Sequence, residues 1–123
     1  LRSLVGSEMG IRDRNYCGLP GDKYHAVAEK YLPNGSCGVV SFGVKGGREA
    51  AAAFMGHLKI AAIETHVADA RTCCLHPASS THRQMNDEQL IAAGVQPDLV
   101  RMSCGLEDKN DLIHDIAQAL DQI

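Results

Sequence analysis

Arg101 is the side chain whose setting in this sequence best suits it to bind an anion. It lies in the run LVRMSCG, residues 99–105, whose apolar and β-branched residues predict a strand. Alternation along a strand places Arg101 on the face opposite Val100 and Met102, which we expect to pack against helices. A guanidinium can pair with a carboxylate or phosphate through two parallel hydrogen bonds. Arg101 is therefore a candidate anion-binding residue.

A structural role is the alternative interpretation of Arg101. By pattern alone, an arginine at such a place is more often paired with a neighbouring acid, here Asp98 or Glu107, or it lies in solvent. The two interpretations differ in the partner of the guanidinium, which the pattern does not identify.

Four potential metal ligands lie close together in the chain: Cys73, Cys74, His76 and His82. Strand alternation would send the two cysteines to opposite faces, and no C-x-x-C pair is present, so we expect no metal site. The glycine-rich run 43–47 matches neither a P-loop nor a dinucleotide-binding fingerprint. It is expected to be a turn that leads into a helix.

The spacing of hydrophobic residues predicts the helices and strands that must position these residues, and glycine and proline mark where the elements end. Helices are predicted at residues 22–32, 48–58 and 87–93. A fourth helix is predicted to follow the acidic residues 107 and 108. Strands are predicted at residues 37–44, 59–64, 71–76 and 99–105. Because pairs of strands are joined without a helix, we expect an α+β layered fold, a four-stranded, mainly antiparallel sheet with helices on one face. The other face, which carries Arg101, is expected to have no helical cover.

Composition indicates one compact domain. The chain has 123 residues, 45% of them hydrophobic and 22% charged, and we assign residues 1–123 to a single domain. The formal net charge of −3 disfavours nucleic acid as a partner, and no run approaches the roughly 20 apolar residues that span a membrane. Five irregularly spaced cysteines indicate reduced thiols, so a cytoplasmic location is expected.

Two blocks of sequence resemble the carboxyl-terminal part of a known enzyme family. The two blocks are HPASSTH at residues 76–82 and LVRMSCGLED at residues 99–108. They resemble the Cys/Met pyridoxal-phosphate enzymes, to which the cystathionine synthases and lyases belong, and the distance between the two blocks along the chain also matches that family. Upstream, YLPNG at residues 31–35 and VSFGVKGG at residues 40–47 are similar to the O-acetylhomoserine sulfhydrylase branch. The resemblance covers residues 15–123.

This resemblance implies a fold-type-I enzyme, in which a large domain carries the cofactor and this smaller domain closes over the substrate. Arg101 falls on the arginine that binds the substrate α-carboxylate in the family and orients the amino acid for proton removal. His66 stands ten residues before His76, where family members usually have Ser or Asn. Two interpretations stay open: its ring alters substrate preference, or it is a loop histidine in solvent. Ser79 and Thr81 belong to a segment that lies near the substrate pocket in the family.

The resemblance also implies that catalysis needs residues beyond this chain. None of the five lysines has the family's Ser-x-Thr-Lys context for the lysine that forms the Schiff base. Pyridoxal phosphate is therefore expected in the full-length enzyme, with no catalytic or cofactor-binding residue in these 123 residues. The chain by itself is expected to be inactive.

The functional hypothesis that the resemblance favours is the carboxyl-terminal domain of an O-acetylhomoserine sulfhydrylase. Such an enzyme makes homocysteine or methionine from O-acetylhomoserine and sulfide or a thiol. Cystathionine γ-synthase and methionine γ-lyase share the Arg101 block and are alternatives. A hypothesis of another class is a non-catalytic binding or assembly module whose open sheet face packs against a partner. The expected partners are an amino-acid substrate and, by resemblance, further copies of the full-length chain in a homotetramer, with no nucleic acid and no membrane.

Overall fold

The structure, a computed structural model, describes residues 10–123. The strands are β1 (Ile11–Asn15), β2 (Val39–Val44), β3 (Ala62–Ile63), β4 (Cys73–Leu75) and β5 (Leu99–Ser103). The helices are α1 (His25–Tyr31), α2 (Gly47–His57), α3 (Asp87–Ala92) and α4 (Lys109–Leu120). None of these helices is long and apolar enough to cross a membrane. The first nine residues of the predicted domain lie outside the described residues.

The five strands form one sheet in the order β1-β2-β5-β4-β3. Neighbouring strands are antiparallel, except for the parallel pair of β3 and β4 at one edge. The predicted α+β class with a mainly antiparallel sheet is therefore confirmed.

The predicted number of four strands is wrong by one, because the sequence pattern did not reveal β1. Its sequence, IRDRN, contains three charged residues and lacks the apolar alternation of a half-buried strand. β1 lies at the sheet edge, where water can solvate these side chains, and only Ile11 is buried. Its pairing with β2 also shifts in register between Ile11 and Asp13.

Helices α2 and α4 cover one face of the sheet and build the hydrophobic core with it. Phe42 of β2 meets Phe54 of α2 edge to face, with ring centroids 5.7 Å apart. Full burial of a phenylalanine stabilises the fold by about 1.5–3 kcal/mol, so this contact is a major part of the core. The other buried core residues of the two helices are Ala51, Met55, Leu112, Ile116, Ala119 and Leu120. Val100 and Met102 of β5 belong to the same core, as alternation predicted.

The predicted strand 59–64 is shorter in the structure because Asp115 of α4 engages its first backbone N–H groups. The carboxylate accepts hydrogen bonds from the three amides of residues 59–61 at 2.8, 2.8 and 3.0 Å. β3 therefore begins only at Ala62. Burial opposes ionisation of Asp115, but the hydrogen bonds from these amides and from Gln118 outweigh it and lower the pKa of the carboxyl below 3.8.

Candidate functional site

Arg101 lies at the centre of β5, which is the middle strand of the sheet. It pairs with Ser41 of β2 on one side and with Leu75 of β4 on the other. Its neighbours Val100 and Met102 are 0% and 1% exposed against the helices, so alternation directs Arg101 to the opposite face. Two strand partners therefore restrain its backbone, while its side chain lies half-buried on the face away from the core.

Residues 65–68, which we name the bridge segment, lie over Arg101 and Ser103 on this face. Arg101 Nη2 donates a hydrogen bond to the backbone carbonyl of Thr65 at 2.8 Å. The backbone N–H of Ala68 donates to Ser103 Oγ at 3.0 Å. Ser103 is only 2% exposed. The sheet face predicted to lack helical cover is thus partly covered by a loop.

Glu107 fixes the chain just after the loop that contains the bridge segment. Its carboxylate accepts hydrogen bonds from the backbone N–H and the hydroxyl of buried Thr72, both at 2.7 Å, and that hydroxyl accepts from the N–H of Gly105. Burial opposes ionisation of Glu107, but the hydrogen bonds from Thr72 outweigh it and lower the pKa of the carboxyl below 4.5. Because Thr72 is engaged in this way, β4 begins at Cys73, two residues later than predicted.

Neither of the acidic neighbours considered as structural partners pairs with Arg101. Asp98 accepts hydrogen bonds from Nε and Nη2 of Arg12 at 2.6 and 3.0 Å, and Glu107 is occupied by Thr72. Arg101 Nε is buried and has no hydrogen-bond partner among the described residues. A buried donor without an acceptor costs about 1–3 kcal/mol, so an acceptor for Nε would stabilise the guanidinium. A carboxylate can provide one, because its two oxygens match the two parallel N–H groups of a guanidinium.

His66 lies in the bridge segment, directly after the residue whose carbonyl binds Arg101. Its Nδ1 is 3.1 Å from Glu64 Oε2 and 3.7 Å from Asp69 Oδ2, and its side chain is 63% exposed. The structure therefore brings the His66 backbone near the guanidinium, while the ring contacts two carboxylates of the same loop. Its effect on substrate preference stays a prediction.

Ser79 and Thr81 follow β4 and make a separate set of contacts. Ser79 Oγ lies 2.9 Å from Nδ1 of buried His76, whose Nε2 lies 2.8 Å from a backbone carbonyl. Thr81 Oγ1 lies 2.9 Å from Nδ1 of His82. Within residues 10–123, neither hydroxyl contacts Arg101, so the structure does not join them to its hydrogen-bond network. Their proposed place near the substrate stays a prediction.

The residues considered as metal ligands are separated and engaged elsewhere. Cys73 and Cys74 are adjacent in β4 and so point to opposite sides, and the ring of His76 is hydrogen-bonded through both nitrogens. In the part of the chain that the structure describes, no group of three His, Cys, Asp or Glu side chains could hold a metal ion. Burial raises the pKa of Cys74 to about 12, so its thiol stays protonated and unreactive at neutral pH.

Ser103 and Thr65 are residues of this site that sequence reasoning did not single out. Strand alternation puts Ser103, two residues after Arg101, on the same face, and this alternation is the one signal for it in the sequence. Thr65 contributes a backbone carbonyl, which every residue type carries, so its identity gives no signal.

Comparisons with known proteins all match this chain to one enzyme family. A family model described as Cys/Met metabolism PLP-dependent enzyme matches residues 5–121. The chain is 44% identical over 106 residues to O-acetyl-L-homoserine sulfhydrylase 1 of Thermus thermophilus, covering 86% of this chain and 25% of that protein. It is 44% identical to the homocysteine synthase of Schizosaccharomyces pombe, covering 87% and 25%, and 39% identical to the O-succinylhomoserine sulfhydrylase of Pseudomonas aeruginosa, covering 98% and 30%.

A solved structure of a related protein has the same fold. The chain superposes with a TM-score of 0.84 and 32% identity on a protein of Campylobacter jejuni described as an O-acetylhomoserine (thiol)-lyase, whose crystal structure contains N'-pyridoxyl-lysine-5'-monophosphate. The match covers 97% of this chain and 28% of that one. The chain therefore spans between a quarter and a third of the length of these relatives.

Proposed function

The chain belongs to the family of Cys/Met metabolism PLP-dependent enzymes, and on that premise we propose that it is the carboxyl-terminal, substrate-side domain of an O-acetylhomoserine sulfhydrylase. The whole enzyme would make homocysteine or methionine from O-acetylhomoserine and sulfide or a thiol. The observation that carries the proposal is the guanidinium of Arg101, which forms no ion pair with an acidic side chain and has a buried Nε without a partner in residues 10–123. Residues 1–123 form one domain in this proposal.

We assign to Arg101 the binding of the substrate α-carboxylate. Nη2 donates to the Thr65 carbonyl, which restrains the guanidinium, and the buried Nε has no partner among the described residues. In this proposal the substrate carboxylate supplies the missing acceptor. A forked contact with a carboxylate fixes the orientation of the amino acid as well as its position, which converts binding energy into alignment of the reacting Cα–H bond. In this assignment Arg101 binds and orients the substrate and takes no part in proton transfer.

Pyridoxal phosphate supplies the electron sink for carbanion chemistry when it is bound to the enzyme. The described residues do not fit its covalent attachment. Lys23 and Lys30 lie over tyrosine rings at 4.8 and 5.0 Å, and the other three lysines lie near helix ends. In residues 10–123, none of the five has a hydrogen bond to Arg101 or to the bridge segment. We therefore place the cofactor-bearing lysine in a part of the enzyme outside this chain.

Sulfhydrylation is preferred over the γ-synthase and γ-lyase reactions because the relatives compared above are named as sulfhydrylases or as a homocysteine synthase. O-Acetylhomoserine is preferred over O-succinylhomoserine because two relatives named as O-acetyl-L-homoserine sulfhydrylases are 44% and 42% identical, and the O-succinylhomoserine sulfhydrylase is 39% identical. Comparing rates with the two esters on the full-length protein tests this choice. A higher kcat/KM with O-succinylhomoserine would reassign the acyl group and leave the role of Arg101 intact.

Replacement of Arg101 in the full-length protein that carries this chain tests its assigned role. Arg101→Ala is expected to lower kcat/KM for the amino-acid substrate about 10- to 100-fold, because hydrogen bonds to a charged group contribute about 1.5–3 kcal/mol each. Arg101→Lys keeps the charge but loses the fork and is expected to recover only part of this loss. Arg83→Ala, which removes an exposed arginine, is the matched control and is expected to have no effect. An unchanged kcat/KM in Arg101→Ala would refute the assignment.

We also propose a cytoplasmic, homo-oligomeric full-length enzyme. Support for the location comes from five free cysteines, of which Cys73 and Cys74 are buried as thiols. The proposal that the enzyme is a homo-oligomer is supported by family resemblance alone. Light scattering of the full-length protein measures its mass, and a monomer would contradict the second part of this proposal.

A further inference from the structure

Ser103 is the second residue of β5 that contacts the bridge segment. It lies two residues after Arg101 on the same face, about 7 Å further along the strand. Its hydroxyl accepts from the Ala68 N–H at 3.0 Å, while Arg101 donates to the Thr65 carbonyl at 2.8 Å. The bridge segment is therefore tied to one strand at two points that are three residues apart in the segment.

Ala68 adopts a backbone conformation that alanine disfavours. Its φ is 60°, and in residues 10–123 it is the one non-glycine residue with a positive φ. Such a conformation persists only where surrounding contacts hold it. Ala68 is exposed, so packing does little to hold it, and the hydrogen bond to Ser103 restrains its N–H. Ser103 thus stabilises the turn of the bridge segment.

We propose that Ser103 is a positioning residue for the substrate carboxylate, an inference that rests on the function proposed for Arg101. The hydroxyl of Ser103 holds Ala68 in its left-handed conformation, and the turn holds the Thr65 carbonyl against Arg101 Nη2. This last contact sets the plane of the guanidinium, whose Nε has no partner among the described residues. Ser103 acts through Arg101 and touches no substrate atom. Loss of its hydroxyl frees the bridge segment and lets the guanidinium rotate.

The first test observes Arg101 in the 123-residue chain by 15N NMR of the arginine Nε–Hε groups. In the unsubstituted chain, the Arg101 group is expected to exchange slowly with solvent and to have a rigid heteronuclear NOE, because Nε is buried. Ser103→Ala is expected to speed that exchange about 3- to 10-fold, the equilibrium effect of losing one neutral hydrogen bond. The NOE of Arg101 is then expected to move toward that of exposed Arg71. An Arg101 signal that stays rigid in Ser103→Ala would overturn the proposal.

Ser41→Ala is the matched control for Ser103→Ala. Ser41 pairs directly with Arg101 across β2 and β5, and its replacement removes the same hydroxyl group from the neighbouring strand. Among the described residues, Ser41 makes no hydrogen bond to the bridge segment. Its replacement is expected to leave the exchange and the NOE of Arg101 unchanged. An equal effect in both variants would indicate a general disturbance of the strands and would contradict a specific role for Ser103.

The second test measures kcat/KM of the full-length enzyme in a double-mutant cycle. Ser103→Ala alone is expected to lower kcat/KM for the amino-acid substrate about 3- to 10-fold, mainly through a higher KM. In the Arg101→Ala background it is expected to have no further effect, because its action passes through the guanidinium. Equal losses in both backgrounds would show that Ser103 acts independently of Arg101 and would overturn the proposal.

The two proposals fail in different ways. If Arg101→Ala leaves kcat/KM unchanged, Arg101 does not bind the substrate carboxylate. The proposed effect of Ser103 on substrate binding is then refuted as well. The NMR comparison of Ser103→Ala and Ser41→Ala reports on the mechanical link between Ser103 and Arg101 whatever the activity is. A normal Arg101→Ala defect combined with an unmoved Arg101 resonance in Ser103→Ala refutes the positioning role alone.

Discussion

Three carboxylates near the sheet, those of Asp98, Glu107 and Asp115, are engaged by donors far away in the sequence. Asp98 binds a guanidinium 86 residues away, and Glu107 binds a threonine 35 residues away. Asp115 binds backbone amides 54 to 56 residues away. Because each carboxylate stabilises the fold in this way, none of them neutralises Arg101. At the scale of single residues, these three carboxylates are occupied by other donors, and in our proposal the substrate carboxylate pairs with Arg101.

Asp115→Asn is expected to lower the free energy of unfolding at neutral pH by about 1–3 kcal/mol, because an amide cannot accept the same hydrogen bonds. The folded-state pKa of Asp115 lies below its ordinary value of 3.8. Its contribution to stability is therefore full above that value and is lost as the pH falls through the folded-state pKa. Urea unfolding between neutral pH and pH 3 should show less acid-dependent loss in Asp115→Asn than in the unsubstituted chain.

Asp121→Asn is the control for this measurement, since Asp121 is exposed at the end of α4. It is expected to change the free energy of unfolding by less than about 0.5 kcal/mol. If Asp115→Asn kept the acid dependence of the unsubstituted chain, this would contradict a lowered pKa of Asp115 in the folded state.

The element that completes the site is the loop between β3 and β4. At its start the Thr65 carbonyl binds Arg101, and at its end the Ala70 carbonyl accepts from the N–H of Leu106. Gly105 lies directly under this end, where an added Cβ would stand 2.3 Å from the Ala70 carbonyl oxygen. Because that neighbour is a backbone atom, the chain must move to accept any side chain at Gly105. The position of the loop therefore depends on this glycine.

Gly105→Ala is expected to lower the free energy of unfolding by about 1–3 kcal/mol, the usual cost of an unaccommodated methyl group. Gly56→Ala in α2 is the matched control, because nothing lies within 4 Å of a Cβ built there. That control is expected to be neutral or to stabilise by up to about 1 kcal/mol through its higher helix propensity. Urea unfolding of the two variants checks both signs, and equal stability of Gly105→Ala and the unsubstituted chain would contradict the close packing of the loop.

At the scale of the whole molecule, residues 10–123 present one side of the proposed active site on a sheet whose other face is covered by helices. Helices α2 and α4 bury one face of the sheet, and the other face displays Arg101 beneath the bridge segment. The chain spans about a quarter of the curated relatives that it matches. In our proposal the remaining part of the enzyme brings the cofactor to this face.

Pyridoxal phosphate added to the purified 123-residue chain is expected to give no visible absorbance band that survives gel filtration. The physical reason is that none of its five lysines lies in the setting expected for attachment of the cofactor. The full-length protein treated in the same way is expected to retain the band and is the control. A stable band on the short chain would contradict the division of the site between two parts of the enzyme.

The sequence by itself determined the central elements of this fold and the face that carries Arg101. The strand at residues 99–105 and the helix at residues 48–58 were predicted because periodicity is a local property, fixed by the geometry of one element. The same alternation placed Arg101 opposite Val100 and Met102, as the structure shows. Resemblance of two sequence blocks identified the family, which the comparisons confirm.

Only the tertiary structure decided which groups surround Arg101. The edge strand β1 escaped prediction because its charged residues are tolerated by solvent at an edge, a position that the sequence does not encode locally. The bonds of Arg101 to Thr65 and of Ser103 to Ala68 join residues 36 and 35 positions apart. Such contacts depend on how the whole chain packs, and one of the two partners at each contact is a backbone group with no signature in residue type.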